Sequence, residues 1–314
     1  MDPTRFVGAL EAGEVIVLDG GLATQLEAQG ADLSDALWSA RLLADEPAAI
    51  MQAHLAYFRA GARVATTASY QATFEGFARR GIPAEQAAAL MRASVELAAD
   101  AREAFALEAR QAGVPDSRAR FVAASIGPYG AVLADGSEYR GRYGLTVAQL
   151  RDFHRARLQV LVGTIADVLA VETIPEVEEA EAMAGLLAET PDAAVWIAFT
   201  CSDGARLRSG APIEEAAAAV AGTASVVAIG VNCTAPEHVE EAVARIAAVT
   251  SRPIVAYPNS GEGWDAGTRR WTGEAAGRVD AASARRWIAG GARLVGGCCR
   301  VTPEQIRQLA VAAD

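Results

Sequence analysis

Val168-Leu169-Ala170-Val171-Glu172-Thr173-Ile174-Pro175 is the stretch on which the fold turns. Its apolar part is short, unbroken and without alternation, the signature of a strand buried on both faces. The run ends in a carboxylate and a hydroxyl. Pro175 then opens a helix-period segment that continues to Ala188, in a position where the missing proline N–H costs nothing.

Working outward, the same unit recurs. Seven further runs read as strands: Val15–Asp19, Ala62–Ser69, Phe121–Gly127, Ala194–Thr200, Val226–Cys233, Ile254–Asn259 and Ala292–Cys299. Helical segments separate them: Glu46–Ala60, Pro83–Ala112, Thr146–Gly163, Pro212–Ala221, Pro236–Ala248 and Ala281–Gly290, with Pro303–Ala313 last. Thr146-Val147-Ala148-Gln149 is a capping-box pattern. Strict alternation of strand and helix defines an α/β protein, and eight such units predict a single (β/α)8 barrel, TIM-type, over residues 1–314. The rival, an open doubly wound sheet, would carry Gly-x-Gly-x-x-Gly after its first strand. Asp19-Gly20-Gly21-Leu22-Ala23-Thr24 stands there instead. The longest strand-to-helix connections, Tyr129–Leu145 and Ser260–Asp280, are expected to build the active site or its lid.

Composition excludes several functions. The 314 residues are 52% hydrophobic and 21% charged, a globular balance. A net charge of -11 argues against nucleic acid as a partner, because phosphate binding needs a basic face. No apolar run approaches the roughly 20 residues that span a bilayer. The start, Met1-Asp2-Pro3-Thr4-Arg5, does not read as a secretory signal, so a cytoplasmic enzyme is expected. All 28 basic residues are Arg, which removes Schiff-base chemistry and the phosphate-loop Lys. His54, His154 and His238 are scattered, so a metal site built on His is not expected.

The four cysteines point to metal or redox chemistry. Cys233 ends the sixth strand, and Cys298 and Cys299 end the eighth. In a barrel those two strand ends lie one strand apart, roughly 10 Å at a spacing of about 4.8 Å per strand. Gly296 and Gly297 let the backbone bend so that neighbouring thiols face one point. Three thiolates suit zinc, one ion per chain, and leave a fourth position open for a substrate. Such a centre is a poor Lewis acid towards water and a good holder of a substrate thiolate, which fits alkyl transfer to sulfur. Cys201, at the fifth strand end, reads as an ordinary buried thiol.

The sequence resembles the homocysteine S-methyltransferase family over nearly its whole length. The resemblance rests on Asp19–Thr24, Ser69-Tyr70-Gln71-Ala72-Thr73-Phe74, Ser125-Ile126-Gly127-Pro128-Tyr129-Gly130 and Asp135-Gly136-Ser137-Glu138-Tyr139. It continues through Glu172-Thr173-Ile174-Pro175, Gly230-Val231-Asn232-Cys233-Thr234, Tyr257-Pro258-Asn259-Ser260-Gly261 and Gly296-Gly297-Cys298-Cys299-Arg300. It implies a barrel, zinc on Cys233, Cys298 and Cys299, and conversion of homocysteine to methionine. It further implies that the Asp19-Gly20-Gly21 turn receives the amino-acid carboxylate and that Glu172 holds the ammonium. Glycine N–H groups approach an anion closely because no Cβ intervenes. The stretches are those of the branch using S-methylmethionine or S-adenosylmethionine. The betaine-using branch carries Tyr after the Glu, where this chain has Thr173. Nothing resembles a cobalamin-binding module.

Other residues keep two readings. Asp19 serves the site or shapes its turn. Asn232 binds substrate or orients Cys233, the former being favoured, and Asn259 is similar. Tyr129, Tyr139, Trp264 and Trp271 wall a cation pocket or simply pack. His54 is a helix-surface or core residue. Two other functions also fit a barrel with these residues. One is a non-catalytic zinc or redox-sensing protein with a Cys298–Cys299 disulfide. The other is an acid/base enzyme working through Asp19 and Glu172.

Overall fold

The computed structural model describes residues 1–33, 38–113, 118–265, 270–275 and 277–313. The barrel strands are β1 (Ile16–Val17), β2 (Val64–Thr66), β3 (Phe121–Ile126), β4 (Val168–Ile174), β5 (Val195–Phe199), β6 (Val226–Asn232) and β7 (Ile254–Tyr257). An antiparallel hairpin follows, β8 (Gly263–Asp265) with β9 (Arg270–Thr272), and then the last barrel strand, β10 (Ala292–Val295). The eight-stranded sheet is parallel throughout, in the order β1-β10-β7-β6-β5-β4-β3-β2. The seam between β1 and β2 is drawn together by the Arg63 N–H, which donates to the Val17 carbonyl at 2.7 Å. The predicted (β/α)8 barrel is the observed fold.

Alternate residues point to the barrel axis. Phe121 and Ala123, Val168 and Ala170, Trp196 and Ala198, Ala228, and Val255 and Tyr257 share one inner cluster. Their neighbours Val122, Ala124, Leu169, Val171, Ile197, Ile229 and Val231 belong to the outer core under the helices. A strand's period of two then carries the same inward parity to the strand ends. There it presents Ser125, Glu172, Thr200 and Asn232, all buried, in place of apolar side chains. The same repeat that fills the barrel therefore lines its C-terminal mouth with polar groups.

A helix over Thr4–Glu11, not foreseen from the sequence, closes the other end. Its Phe6 is fully buried against Phe121 and Trp196, with ring centroids 5.2 and 6.2 Å away. Phe6→Ala should therefore cost about 3–5 kcal/mol of stability. Chemical denaturation checks this, and a loss under 1 kcal/mol would show that the plug contributes little.

Helix boundaries follow the sequence with one instructive shift. The segment expected from Pro175 begins at Val177. Glu176 stays extended, and the Pro175 carbonyl before it accepts from the Ser209 N–H at 3.0 Å. Thr146 and Gln149 form the expected capping box. Three strands, β1, β2 and β10, fall short of their apolar runs by three residues or more. Beyond them the backbone leaves the ladder to build the mouth. The Gly297 N–H donates to the Asp19 carbonyl at 3.0 Å, and the Cys298 N–H to the Pro258 carbonyl at 2.7 Å.

Candidate metal centre and amino-acid site

Cys233 follows β6, and Cys298 and Cys299 follow β10. Their sulfurs lie within 4.8 Å of one another. Cys298 and Cys299 are 3.9 Å apart, Sγ to Sγ. Two thiolates on one tetrahedral zinc, each about 2.3 Å from the ion, stand about 3.8 Å apart. In this structure Cys233 and Cys298 are joined as a disulfide, with Cα atoms 5.6 Å apart, and Cys299 keeps a free thiol. The Cys298–Cys299 disulfide considered above is not formed. Reduced, the three side chains supply a compact set of soft donors, so the residues fit a thiophilic metal. Cys201 is buried and outside this group, with its thiol pushed up to about 12 by burial.

Glu172 stands at the end of β4, 7% exposed. Its Oε1 accepts from the Ser125 hydroxyl and its Oε2 from the Tyr257 hydroxyl at 3.0 Å. Tyr257 in turn accepts from Trp196 Nε1 at 3.0 Å. Burial raises the Glu172 carboxyl to about 7 against those two hydrogen bonds. The charges of Glu172 and the Cys299 thiol also act on one another, since Glu172 helps to raise that thiol. The acid and the sulfur cluster thus lie near one another at the C-terminal mouth of the barrel. Ser125 and Tyr257 were quoted above only as parts of motifs. Their shared inward parity with Glu172 was the available signal.

Asp19 has a different task. Both its carboxylate oxygens accept from Thr66, from the N–H at 2.7 Å and the hydroxyl at 2.8 Å. That stitches β1 to β2 at the seam. Burial, chiefly, raises its carboxyl to about 8.

The Gly20-Gly21 turn needs its glycines for close packing. A Cβ on Gly20 would lie 2.5 Å from the Val301 carbonyl oxygen, and one on Gly21 would lie 2.8 Å from that of Cys298. Tyr57 clamps this contact, its hydroxyl 2.9 Å from both the Gly21 and Val301 carbonyls. The expectation that both glycine N–H groups are open to an anion needs correction. Gly21 is buried and donates to the Val301 carbonyl at 3.0 Å, while Gly20 remains partly exposed.

Asn232, at the same mouth, holds a turn of the neighbouring strand end. Its Oδ1 accepts from the Thr173 N–H at 2.7 Å, and its Nδ2 donates to Thr173 Oγ1 at 2.8 Å. Thr173 has φ +62°, strained for a β-branched residue, and Cys233 has φ +47°. The amide therefore holds the bend that follows Glu172 while sitting next to Cys233 in the chain. Asn259 braces the same turn through the Cys233 carbonyl, 3.5 Å from its Nδ2.

Of the aromatic residues, Tyr139 reaches the cluster: its hydroxyl interacts with the Cys299 thiol, and Arg208 lies over its ring at 5.5 Å. Tyr129 instead packs against Tyr143 and Phe153. The Trp264 side chain lies outside the described residues. His54 is a core residue, fully buried. His154, partnerless by spacing, in fact bonds Glu179 at 2.8 Å. Glu179 also accepts from the Tyr129 N–H at 2.6 Å, which anchors the loop after β3.

Fold and site together define a (β/α)8-barrel enzyme whose C-terminal mouth carries a trio of cysteines that could hold a metal. The sequence model of one family, homocysteine S-methyltransferase, matches residues 16–313, and the chain belongs to that family. It is 46% identical over 311 residues to homocysteine S-methyltransferase YbgG of Bacillus subtilis, covering 99% of this chain and 97% of that one. It is 45% identical over 307 residues to a selenocysteine Se-methyltransferase of Brassica oleracea, covering 95% and 89%. The metallated form of the homocysteine methyltransferase MmuM from Escherichia coli superposes with a TM-score of 0.86, at 44% identity and covering 99% of each chain.

Proposed function

We propose that this chain, acting as one barrel domain, transfers a methyl group from a sulfonium donor to homocysteine. S-methylmethionine is the preferred donor and S-adenosylmethionine the second. The product is methionine, and one zinc per chain sits on Cys233, Cys298 and Cys299. The observation that carries this reading is the trio of sulfurs within 4.8 Å, with the buried Glu172 at the same mouth. Bound zinc would lower the pKa of the homocysteine thiol and keep its sulfur nucleophilic at neutral pH.

The protein's own residues do the rest. Glu172, aligned by Ser125 and Tyr257, receives the substrate ammonium. Gly20, partly exposed, is the residue left at the turn for the substrate carboxylate. Asn232 fixes Thr173, and so the direction in which Glu172 leaves β4. The thiol proton leaves to solvent. The sulfur lone pair then forms the new C–S bond to the methyl carbon, and the pair of the breaking S–CH3 bond stays on the departing sulfide. Donor charge disappears in that step, so no general base is required, in accord with a mouth that holds no Lys. Thiols must stay reduced for this chemistry, which suits the cytoplasm. Among the described residues no helix is long and apolar enough to cross a membrane.

Parallel assays with homocysteine and S-methylmethionine, S-adenosylmethionine or betaine test the reading. Turnover is expected with the sulfoniums and not with betaine. A sulfide is a better leaving group than an amine, and Thr173 offers no ring to a quaternary ammonium. Betaine turnover equal to that with S-methylmethionine would overturn the donor assignment.

A further inference from the structure

Glu138 is the acid that the mechanism above leaves without work. It lies on the 3-10 turn Ser137–Tyr139, in the long connection after β3. It is 9% exposed, yet its Oε2 is fully buried with no hydrogen-bond partner. Its other interactions are with its own backbone N–H and, through space, with Asp135 and Arg140. Among the described residues no arginine pairs with it: Arg140 binds Asp135 instead. A buried carboxylate oxygen left bare costs free energy, so such a group calls for a partner.

Its surroundings say where that partner sits. The Glu138 charge is felt by the hydroxyls of Tyr70 and Tyr139 and by the Cys299 thiol. It therefore stands close to Tyr70, Tyr139 and Cys299, on the side of the mouth that holds the cysteine cluster. Glu172 already serves one ammonium there, so a second anionic acceptor implies a second cation.

A methyl-donating sulfonium amino acid carries two positive charges, and only one of them suits Glu138. The sulfonium has no N–H to satisfy Oε2. Pairing it with a carboxylate would also stabilise the charge that methyl transfer removes, which favours the ground state over the transition state. The α-ammonium has three N–H donors and keeps its charge throughout. The aromatic faces suit the sulfonium instead.

We propose that Glu138 binds the α-ammonium of the methyl donor, forming a second amino-acid subsite that restricts the enzyme to sulfoniums bearing an amino group. This rests on the methyl-transfer reading above. The test compares S-methylmethionine with its des-amino analogue, 4-(dimethylsulfonio)butanoate, at saturating homocysteine on zinc-loaded protein. Wild type should prefer the amino donor in kcat/KM by about ten- to a hundred-fold, the size of one charge-assisted hydrogen bond. Glu138→Gln should lose that preference, mainly through the donor KM, with homocysteine KM and zinc content unchanged. Glu138→Asp, the milder variant, should retain part of it. Calorimetric titration of S-methylmethionine should show the same weakening without turnover. Equal losses for both donors, a raised homocysteine KM, or an unchanged donor ratio in Glu138→Gln would each overturn the proposal while the methyl-transfer reading stands. A wild type that uses neither sulfonium overturns both.

Discussion

Cys298→Ala is expected to yield a folded barrel that binds no zinc and transfers no methyl group, and Cys233→Ala and Cys299→Ala should do the same. The three sulfurs occupy one point at the mouth, 3.9 Å apart for the Cys298–Cys299 pair, near the edge of a tetrahedral thiolate site. Removing one leaves two ligands where three held the ion and a fourth position awaited substrate. The fold should survive because the barrel core lies below these strand ends, among Trp196, Phe121, Val168 and their inward neighbours. Cys201→Ala is the control. That thiol is buried outside the cluster, so zinc content should stay at one per chain and activity within a few-fold. Metal analysis of reduced, dialysed protein with steady-state rates reads all four variants. Zinc lost from Cys201→Ala and kept by Cys233→Ala would show the ligand set to be wrong.

Glu172→Gln should keep its zinc and bind homocysteine about ten- to a hundred-fold more weakly, the loss of one charge-assisted hydrogen bond to an ammonium of roughly 1.5–3 kcal/mol. An unchanged homocysteine titration would remove Glu172 from the site. The same carboxyl makes a pH statement. Burial raises it to about 7 in the folded chain, from an ordinary value of 4.5. The folded state thus holds a proton that the unfolded chain has released. The stability tied to that proton is present below about pH 4.5 and is lost as pH rises to about 7. Glutamine does not titrate. The melting temperature of Glu172→Gln, relative to wild type, should therefore move upward between pH 5 and pH 8 in metal-free protein. A gap that stays constant over this range would show that the carboxyl is not raised.

Much of this was legible in the chain itself, for reasons that particular residues make plain. Val168–Thr173 and its seven counterparts are local patterns, and an apolar run closed by polar groups needs no long-range information to be read as a barrel strand. Cys233 and the Cys298–Cys299 pair were legible because strand ends in a barrel converge whatever their separation along the chain. The hydrogen-bonded tasks of Asp19 and Asn232 were not. Each is defined by a partner 47 or 59 residues away, Thr66 and Thr173. Nothing in a single sequence distinguishes an amide that faces substrate from one that holds a strained turn.

The sequence by itself determined the architecture, the thiol cluster and the acid opposite it, since period, strand-end chemistry and the order of elements are written locally. Only the tertiary structure decided which hydrogen-bonding groups remain available. It closed the Gly21 N–H against Val301, tied Asp19 into the β1–β2 seam and backed Glu172 with Ser125 and Tyr257. It also left Glu138 buried with a bare oxygen. Availability depends on what other strands and loops bring within about 3 Å, and that distance is set by the closure of the whole barrel rather than by any segment of it.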